Sequence, residues 1–156
     1  MGAFDLVMAA PFGALGVSTD GDRLTRIVFL PPGTPTAPAS TAYAEQVRRE
    51  IAAYLADPDH VFQLSIEAAG TPHQQRVWAA MRRIPRGHVR RYGDLAAELG
   101  SAARAVGQAC GANPCPVVVP CHRVVAASGP GGFANARDGY LLDTKLWLLR
   151  HEGAML

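Results

Sequence analysis

The sequence predicts an α/β protein, in which a small antiparallel sheet covered by one helix is followed by a mainly helical C-terminal part containing a helix-turn-helix. Three observations predict it. Short apolar runs separated by turn residues open the chain, an apolar stripe at helical spacing comes next, and two short helical segments joined by Gly100-Ser101 lie in the second half.

In chain order, Leu6 to Ala10, Ala14 to Thr19 and Leu24 to Leu30 are separated by Pro11-Phe12-Gly13 and Asp20-Gly21-Asp22, the pattern of a three-stranded meander. Pro31 to Pro38 is a loop rich in proline and threonine. Tyr43, Val47, Ile51, Ala52 and Leu55 then recur at helical spacing up to Pro58, which lays one helix over the sheet. Val61 to Ile66 reads as a further strand. Ala68-Ala69-Gly70-Thr71-Pro72 reads as a boundary, with Thr71 as N-cap and Pro72 in the first helical position, so the expected division is 1–66 and 67–156.

Past the boundary, Val77, Trp78, Met81 and Ile84 form an apolar stripe that stops at Pro85-Arg86-Gly87. Tyr92 to Leu99 and Ala102 to Cys110 are the helices of the helix-turn-helix. The second carries Ala102, Ala103, Ala105, Gly107 and Ala109, a small-sided surface from which Arg104 projects. A glycine inside a helix costs roughly 1 kcal/mol, so Gly107 points to a close approach by a neighbouring helix or by something outside the chain. Val117 to Val119 reads as a buried strand ended by Pro120. Leu141, Leu142, Lys145, Leu146 and Leu149 read as an amphipathic helix stopping at Gly153.

With 156 residues, 49% of them hydrophobic and 18% charged, the chain is long and apolar enough to bury a core. No apolar run approaches the ~20 residues needed to cross a bilayer. The opening Met1-Gly2-Ala3-Phe4-Asp5 lacks the basic-then-apolar form of a signal peptide, so a cytoplasmic location with no membrane partner is expected. Cys110, Cys115 and Cys121 are odd in number and include no Cys-x-x-Cys pair, which argues against a disulfide framework or a zinc ribbon. No metal and no cofactor are expected. A net charge of +2 is too small to imply a polyanion partner. Arg76, Arg82, Arg83, Arg86, Arg90, Arg91 and Arg104 nevertheless cluster, either to track a phosphate backbone or as an ordinary solvated face.

The stretch with most chemistry is Pro120-Cys121-His122-Arg123-Val124-Val125, which puts a thiol beside an imidazole. A free cysteine has a pKa near ~8.5, so only a few per cent is thiolate at neutral pH without a neighbouring base or charge. His122 and Arg123 are the neighbours placed to supply them. Adjacent residues of an extended chain point to opposite faces, so His122 reaches Cys121 across a turn or, the favoured route, through a bridging water. A Cys-His pair in isolation fits a buried cysteine beside a surface histidine better than a reactive pair.

Gly70-Thr71-Pro72-His73-Gln74-Gln75-Arg76-Val77-Trp78, Ile84-Pro85-Arg86-Gly87, Tyr92-Gly93-Asp94-Leu95-Ala96, Ala103-Arg104-Ala105-Val106-Gly107, Asn113-Pro114 and Pro120-Cys121-His122-Arg123-Val124 occur in that order. In these motifs the chain resembles the O6-alkylguanine-DNA alkyltransferases over residues 67 to 153, and in general shape only over 1 to 66. The resemblance implies a ribonuclease H-like roll followed by a winged-helix-like subdomain. It also implies transfer of an alkyl group from O6 of guanine, and from O4 of thymine, in duplex DNA to Cys121, once per molecule. His122 would take the thiol proton, Glu152 would orient His122, and Asn113 would buttress the turn around Cys121. The second helix of the helix-turn-helix, with Ala105 and Gly107, would enter the minor groove while Arg104 fills the place of an everted base. Tyr92 would contact the base and its phosphate. Arg123 is grouped with the DNA-binding residues, and the backbone of Cys121 and Val124 would read the guanine edge. Phe133 would wall the alkyl pocket, in a segment, 130–144, longer than the short loop expected there.

The tryptophan that lesion-binding relatives carry at the nucleophile position is absent, since Cys121 stands there. His73 departs from the usual phenylalanine, and Arg91 from a frequent serine or threonine. The resemblance further implies a monomer in solution, and leaves cooperation between molecules along DNA open. Two other classes remain in view. A DNA-binding regulator would need long polar side chains at several recognition positions, and the second helix has small ones. A Cys-His hydrolase would need turnover and an oxyanion site, which nothing in the sequence indicates.

Overall fold

A computed structural model describes residues 4–131 and 139–154. The chain divides into two compact units, Met1–Ala68 and Ala69–Leu156.

In the first unit, strands β1 (Leu6–Ala10), β2 (Gly13–Asp20) and β3 (Arg23–Leu30) form an antiparallel sheet in sequence order. The register sets Leu6 opposite Val17 and Val17 opposite Ile27, and two residues along it sets Leu15 opposite Phe29. These residues are all buried, so the alternation of a pleated strand puts one apolar row inward. Gly13 closes the first turn at φ 143°, where an added Cβ would lie 2.6 Å from the Leu30 carbonyl oxygen, a position only glycine fills. Helix α1 (Ala42–Ala56) starts at Thr41, whose side chain accepts a hydrogen bond from the Ala44 N–H, and packs on β1 and β2. Its buried stripe is Ala44, Val47, Ile51 and Tyr54. The expected stripe ran through Tyr43 and Leu55 and is therefore rotated.

The expected strand at Val61 to Ile66 does not form. Only Ile66 makes a bridge, parallel to Leu24, with Leu24 N–H donating to Ser65 O at 2.8 Å and Glu67 N–H to Leu24 O at 2.9 Å. The reason lies in α1, which takes the donors a strand would use: Glu50 Oε1 accepts from Gln63 N–H at 2.7 Å, and Tyr43 Oη from Ser65 N–H at 3.1 Å.

The second unit holds α2 (Pro72–Arg82), β4 (Arg90–Arg91), α3 (Tyr92–Leu99), α4 (Ala103–Gly111), a 3-10 turn at Cys121–Arg123, β5 (Val124–Val125) and α5 (Gly139–His151). Thr71 and Gln74 form a reciprocal capping box at the start of α2. Val77, Trp78 and Met81 are buried as the spacing predicts, and the Trp78 indole donates to Ala109 O at 2.8 Å, tying α2 to α4. Helix α3 ends at Gly100, φ 62°, which turns the chain into α4. The short parallel pairing of β4 with β5 brings Arg90 and Arg91 alongside Val124 and Val125. Among the described residues no helix is long and apolar enough to cross a membrane.

Val117 to Val119 is a turn and not the expected strand. Pro114, Pro116 and Pro120 remove ladder donors on both sides, and Val119 N–H donates back to Cys115 O at 2.9 Å. Val117 sits at φ 74°, a strained conformation for a β-branched residue. Cys121 thus opens a 3-10 turn where a strand exit was expected.

Gly70 lies where an added Cβ would come within 2.5 Å of the Trp78 ring. The ring is pinned by its hydrogen bond to Ala109, so Gly70→Ala should destabilise the protein by about 1–3 kcal/mol. Thermal melting measures it, and an unchanged midpoint would show that the ring yields freely.

Candidate active site

Three charged or polar side chains meet at the end of α5. Glu152, one residue past that helix, is 1% exposed, and His122, in the 3-10 turn, is 0% exposed. His122 Nε2 lies 2.9 Å from Glu152 Oε2. Arg123 donates from Nε to Oε1 at 2.9 Å and from Nη2 to Oε2 at 3.0 Å, a bidentate grip, and from Nη1 to Ile84 O at 2.6 Å. A carboxylate held by a guanidinium is ionised and accepts only, so Nε2 carries the imidazole proton and Nδ1 presents a lone pair. Nδ1 is the one buried side-chain nitrogen or oxygen without a hydrogen-bond partner among the described residues. Burial pulls the His122 pKa below 6.5, opposed by the hydrogen bond and charge of Glu152, so the ring is a neutral base at rest.

Arg123, grouped from the sequence with the DNA-binding residues and placed beside the thiol as a source of charge, has its guanidinium engaged elsewhere within the chain. It turns inward to Glu152 and Ile84, because an ionised carboxylate taken out of water needs a fixed cation more than a neutral buried thiol does.

The loop that presents Cys121 is held from within. Asn113 Nδ2 donates to Val119 O at 2.8 Å, and its Oδ1 accepts from Cys115 N–H at 3.0 Å, spanning the strained turn. Cys121 N–H donates to Val119 O at 2.8 Å. The thiol is 7% exposed. Burial raises its pKa above the ordinary 9.0, and a hydrogen bond from Asn113 and the charge of Lys145 pull it back. The cation that helps the thiol is therefore Lys145, which sequence reasoning left among the apolar residues of a helical stripe. Lys145 is 0% exposed, donates to Val124 O at 2.7 Å and lies 5.8 Å from the centre of the Tyr92 ring. Burial lowers its pKa to about 8, with Cys121 and Cys110 opposing the shift. A lysine on an otherwise apolar stripe was the available signal for it.

Tyr92 opens α3 half-buried, its phenol pushed up to about 12 first by burial and then by the two thiols. It is a neutral hydroxyl. Gly131, at φ 75°, approaches so closely that a Cβ there would sit 3.0 Å from the Tyr92 ring.

On α4 the small residues divide. Ala109 and Val106 are buried, whereas Ala102, Ala103 and Arg104 are exposed and Ala105 and Gly107 half-exposed. An added Cβ at Gly107 would meet only the Tyr92 ring, at 3.9 Å, an ordinary contact. Packing within the described residues therefore does not demand a glycine there. Arg104 makes no hydrogen bond or ion pair among the described residues. Most of the arginine cluster is otherwise engaged. Arg76 donates to Leu99 O, Arg83 and Arg90 bind Glu98, and Arg86 donates to Glu152 O. Phe133 lies outside the described residues. Among those described, no three His, Cys, Asp or Glu side chains gather to hold a metal ion.

The fold and site define a class of protein by arrangement: a helix-turn-helix unit that carries a buried cysteine next in sequence to a buried histidine–glutamate pair. The family model for the 6-O-methylguanine DNA methyltransferase DNA binding domain matches residues 72–154, and the chain belongs to that family. A methylated-DNA--protein-cysteine methyltransferase of Salmonella typhimurium is 52% identical over 96 residues, 60% of this chain and 53% of that protein. The chain thus spans about half the length of the first curated relatives it matches. A constitutive methylated-DNA--protein-cysteine methyltransferase of Bacillus subtilis is 36% identical over 153 residues, 91% of this chain and 90% of that protein. The crystal structure of Mycobacterium tuberculosis OGT in complex with DNA superposes with a TM-score of 0.79 at 37% identity, covering 94% of this chain and 91% of the other.

Because the folded site holds the His122 pKa below 6.5, the unfolded chain takes up a proton in acid that the folded site refuses. Stability contributed by the neutral ring is present above 6.5 and is lost as pH falls. Urea unfolding at a series of pH values from about 7 to 5 should give a steeper decline for the native chain than for His122→Asn. Parallel declines would mean that His122 titrates as it does in water.

Proposed function

We propose that this protein repairs DNA by transferring an alkyl group from O6 of guanine in duplex DNA to the sulfur of Cys121, and by the same chemistry from O4 of thymine. The observation that carries this reading is the buried relay Arg123–Glu152–His122, which ends in an unpartnered Nδ1 one residue from the thiol. The thiol proton passes to Nδ1, through a bridging water as the sequence favours. The sulfur lone pair then attacks the alkyl carbon, forming the S–C bond as the C–O6 bond breaks. The electron pair stays on the guanine oxygen, and a proton returns to the base. Thioether formation consumes the nucleophile, so each molecule acts once.

A base stacked in a duplex cannot reach a fixed sulfur, so the nucleotide turns out of the helix at a cost of a few kcal/mol. Helix α4 would lie in the minor groove, with Ala105 and Gly107 allowing close approach and exposed Arg104 filling the gap left by the base. The neutral phenol of Tyr92 is suited to donate to the base or its phosphate. Cys121 N–H and one lone pair of Val124 O are already engaged, so what that backbone offers a guanine edge is carbonyl lone pairs. Asn113 holds the loop. Arg123 acts through Glu152, as a positioning residue and not as a DNA contact. The protein would work as a monomer in a compartment that keeps thiols reduced.

After mixing with duplex DNA containing O6-methylguanine, intact-mass measurement should show a gain of one methyl group per molecule. The gain should map to Cys121, be absent in Cys121→Ser, and not increase with excess DNA. Binding without a mass change would leave a lesion-binding or regulatory protein, and repeated turnover a hydrolase.

Gly107→Ala separates packing from DNA engagement. It should stabilise the fold by up to about 1 kcal/mol through helix propensity, yet weaken duplex binding. Unchanged binding would remove this face of α4 from the interface.

A further inference from the structure

Helix α4 begins without help from its own sequence. Its N-cap is Ala102, which has no side-chain hydrogen bond, and the preceding Gly100 is in the left-handed conformation, the most permissive joint in the unit. Some other element must fix the direction in which α4 leaves the turn. The backbone supplies two contacts, the Gly100 and Ser101 N–H groups both donating to Ala96 O, the latter at 2.8 Å. The rest comes from α2, where His73 and Arg76, three apart and hence on one face, reach the two residues flanking Gly100. Arg76 Nη2 donates to Leu99 O at 2.6 Å, and His73 Nε2 lies 2.8 Å from Ser101 Oγ. The joint is gripped on both sides.

We propose that His73, with Arg76, is a positioning residue that sets the angle of α4 and thereby the fit of this protein to duplex DNA, without taking part in chemistry at Cys121. The proposal rests on the reading of α4 as the duplex-binding helix. The serine hydroxyl both donates and accepts, so the His73 contact survives whichever way the imidazole is protonated. His73 stands where the resemblance led to a phenylalanine, which has no atom that could bond Ser101.

The test compares the rate of alkyl transfer to Cys121 from duplex O6-methylguanine with that from the free base O6-benzylguanine. The proteins compared are the native chain, His73→Phe, His73→Gln, Ser101→Ala and the double variant His73→Phe/Ser101→Ala. His73→Phe and Ser101→Ala should each slow the duplex reaction about three- to tenfold, the effect of one hydrogen bond, while the free-base rate stays within about twofold. The double variant should be no slower than the slower single, because both remove one shared contact. His73→Gln, which retains a donor and an acceptor, should recover most of the duplex rate.

Equal slowing of both reactions, an unaffected duplex rate, or singles whose effects multiply in the double variant would each overturn the proposal. A native protein that accepts the group from the free base but never from duplex DNA would overturn the duplex reading itself, and this proposal with it.

Discussion

The buried carboxylate of Glu152 is the constraint on which the second unit depends. An ionised group taken out of water costs several kcal/mol unless it is paired and fully hydrogen-bonded, and here the pairing is done by Arg123 and His122 together. Its backbone is held as well, with Arg86 donating to the Glu152 carbonyl at 3.0 Å. A Cβ added at Gly87 would lie 3.2 Å from that same oxygen, and Gly87 has φ 82°. The segment after α2, the 3-10 turn and the end of α5 therefore converge on one residue. Arg123 also binds Ile84 O, so the ion pair that orders His122 is also a clasp between α2 and α5.

A second consequence concerns the resting state of the Cys121 thiol. Burial raises the Cys121 pKa and lowers that of His122, and both shifts oppose a thiolate–imidazolium pair. Each unit of mismatch costs about 1.4 kcal/mol, so the thiol rests protonated and is ionised only as the proton leaves. Lys145 and Asn113 limit the mismatch without abolishing it.

The arginine cluster illustrates how charge counting misleads. Four of the seven, Arg76, Arg83, Arg86 and Arg90, bind carbonyls or Glu98 inside the unit and brace its helices. Ion pairs as exposed as those of Glu98 contribute little to stability, so their effect is geometric. The exposed side chains with no such engagement among the described residues include Arg104, on the small-sided surface of α4.

The sequence by itself determined the elements whose physics is local. The meander followed from alternation and turn residues, α2 from the Thr71-Pro72 start and its stripe, and the α3–α4 turn from Gly100. The motif around Cys121 also singled out the cysteine and the histidine that the fold buries side by side in one 3-10 turn. Tertiary structure decided what depends on partners distant in the chain. Val61 to Ile66 lost its strand because Glu50 and Tyr43 on α1 capture its donors. Val117 to Val119 became a turn because prolines leave no ladder to join and Asn113 folds the loop onto itself. Arg123 turned inward and Lys145 proved to be the cation near the thiol, since a buried charge takes its position from whichever opposite or polar group the packed fold brings within reach. Spacing along the chain does not contain that information.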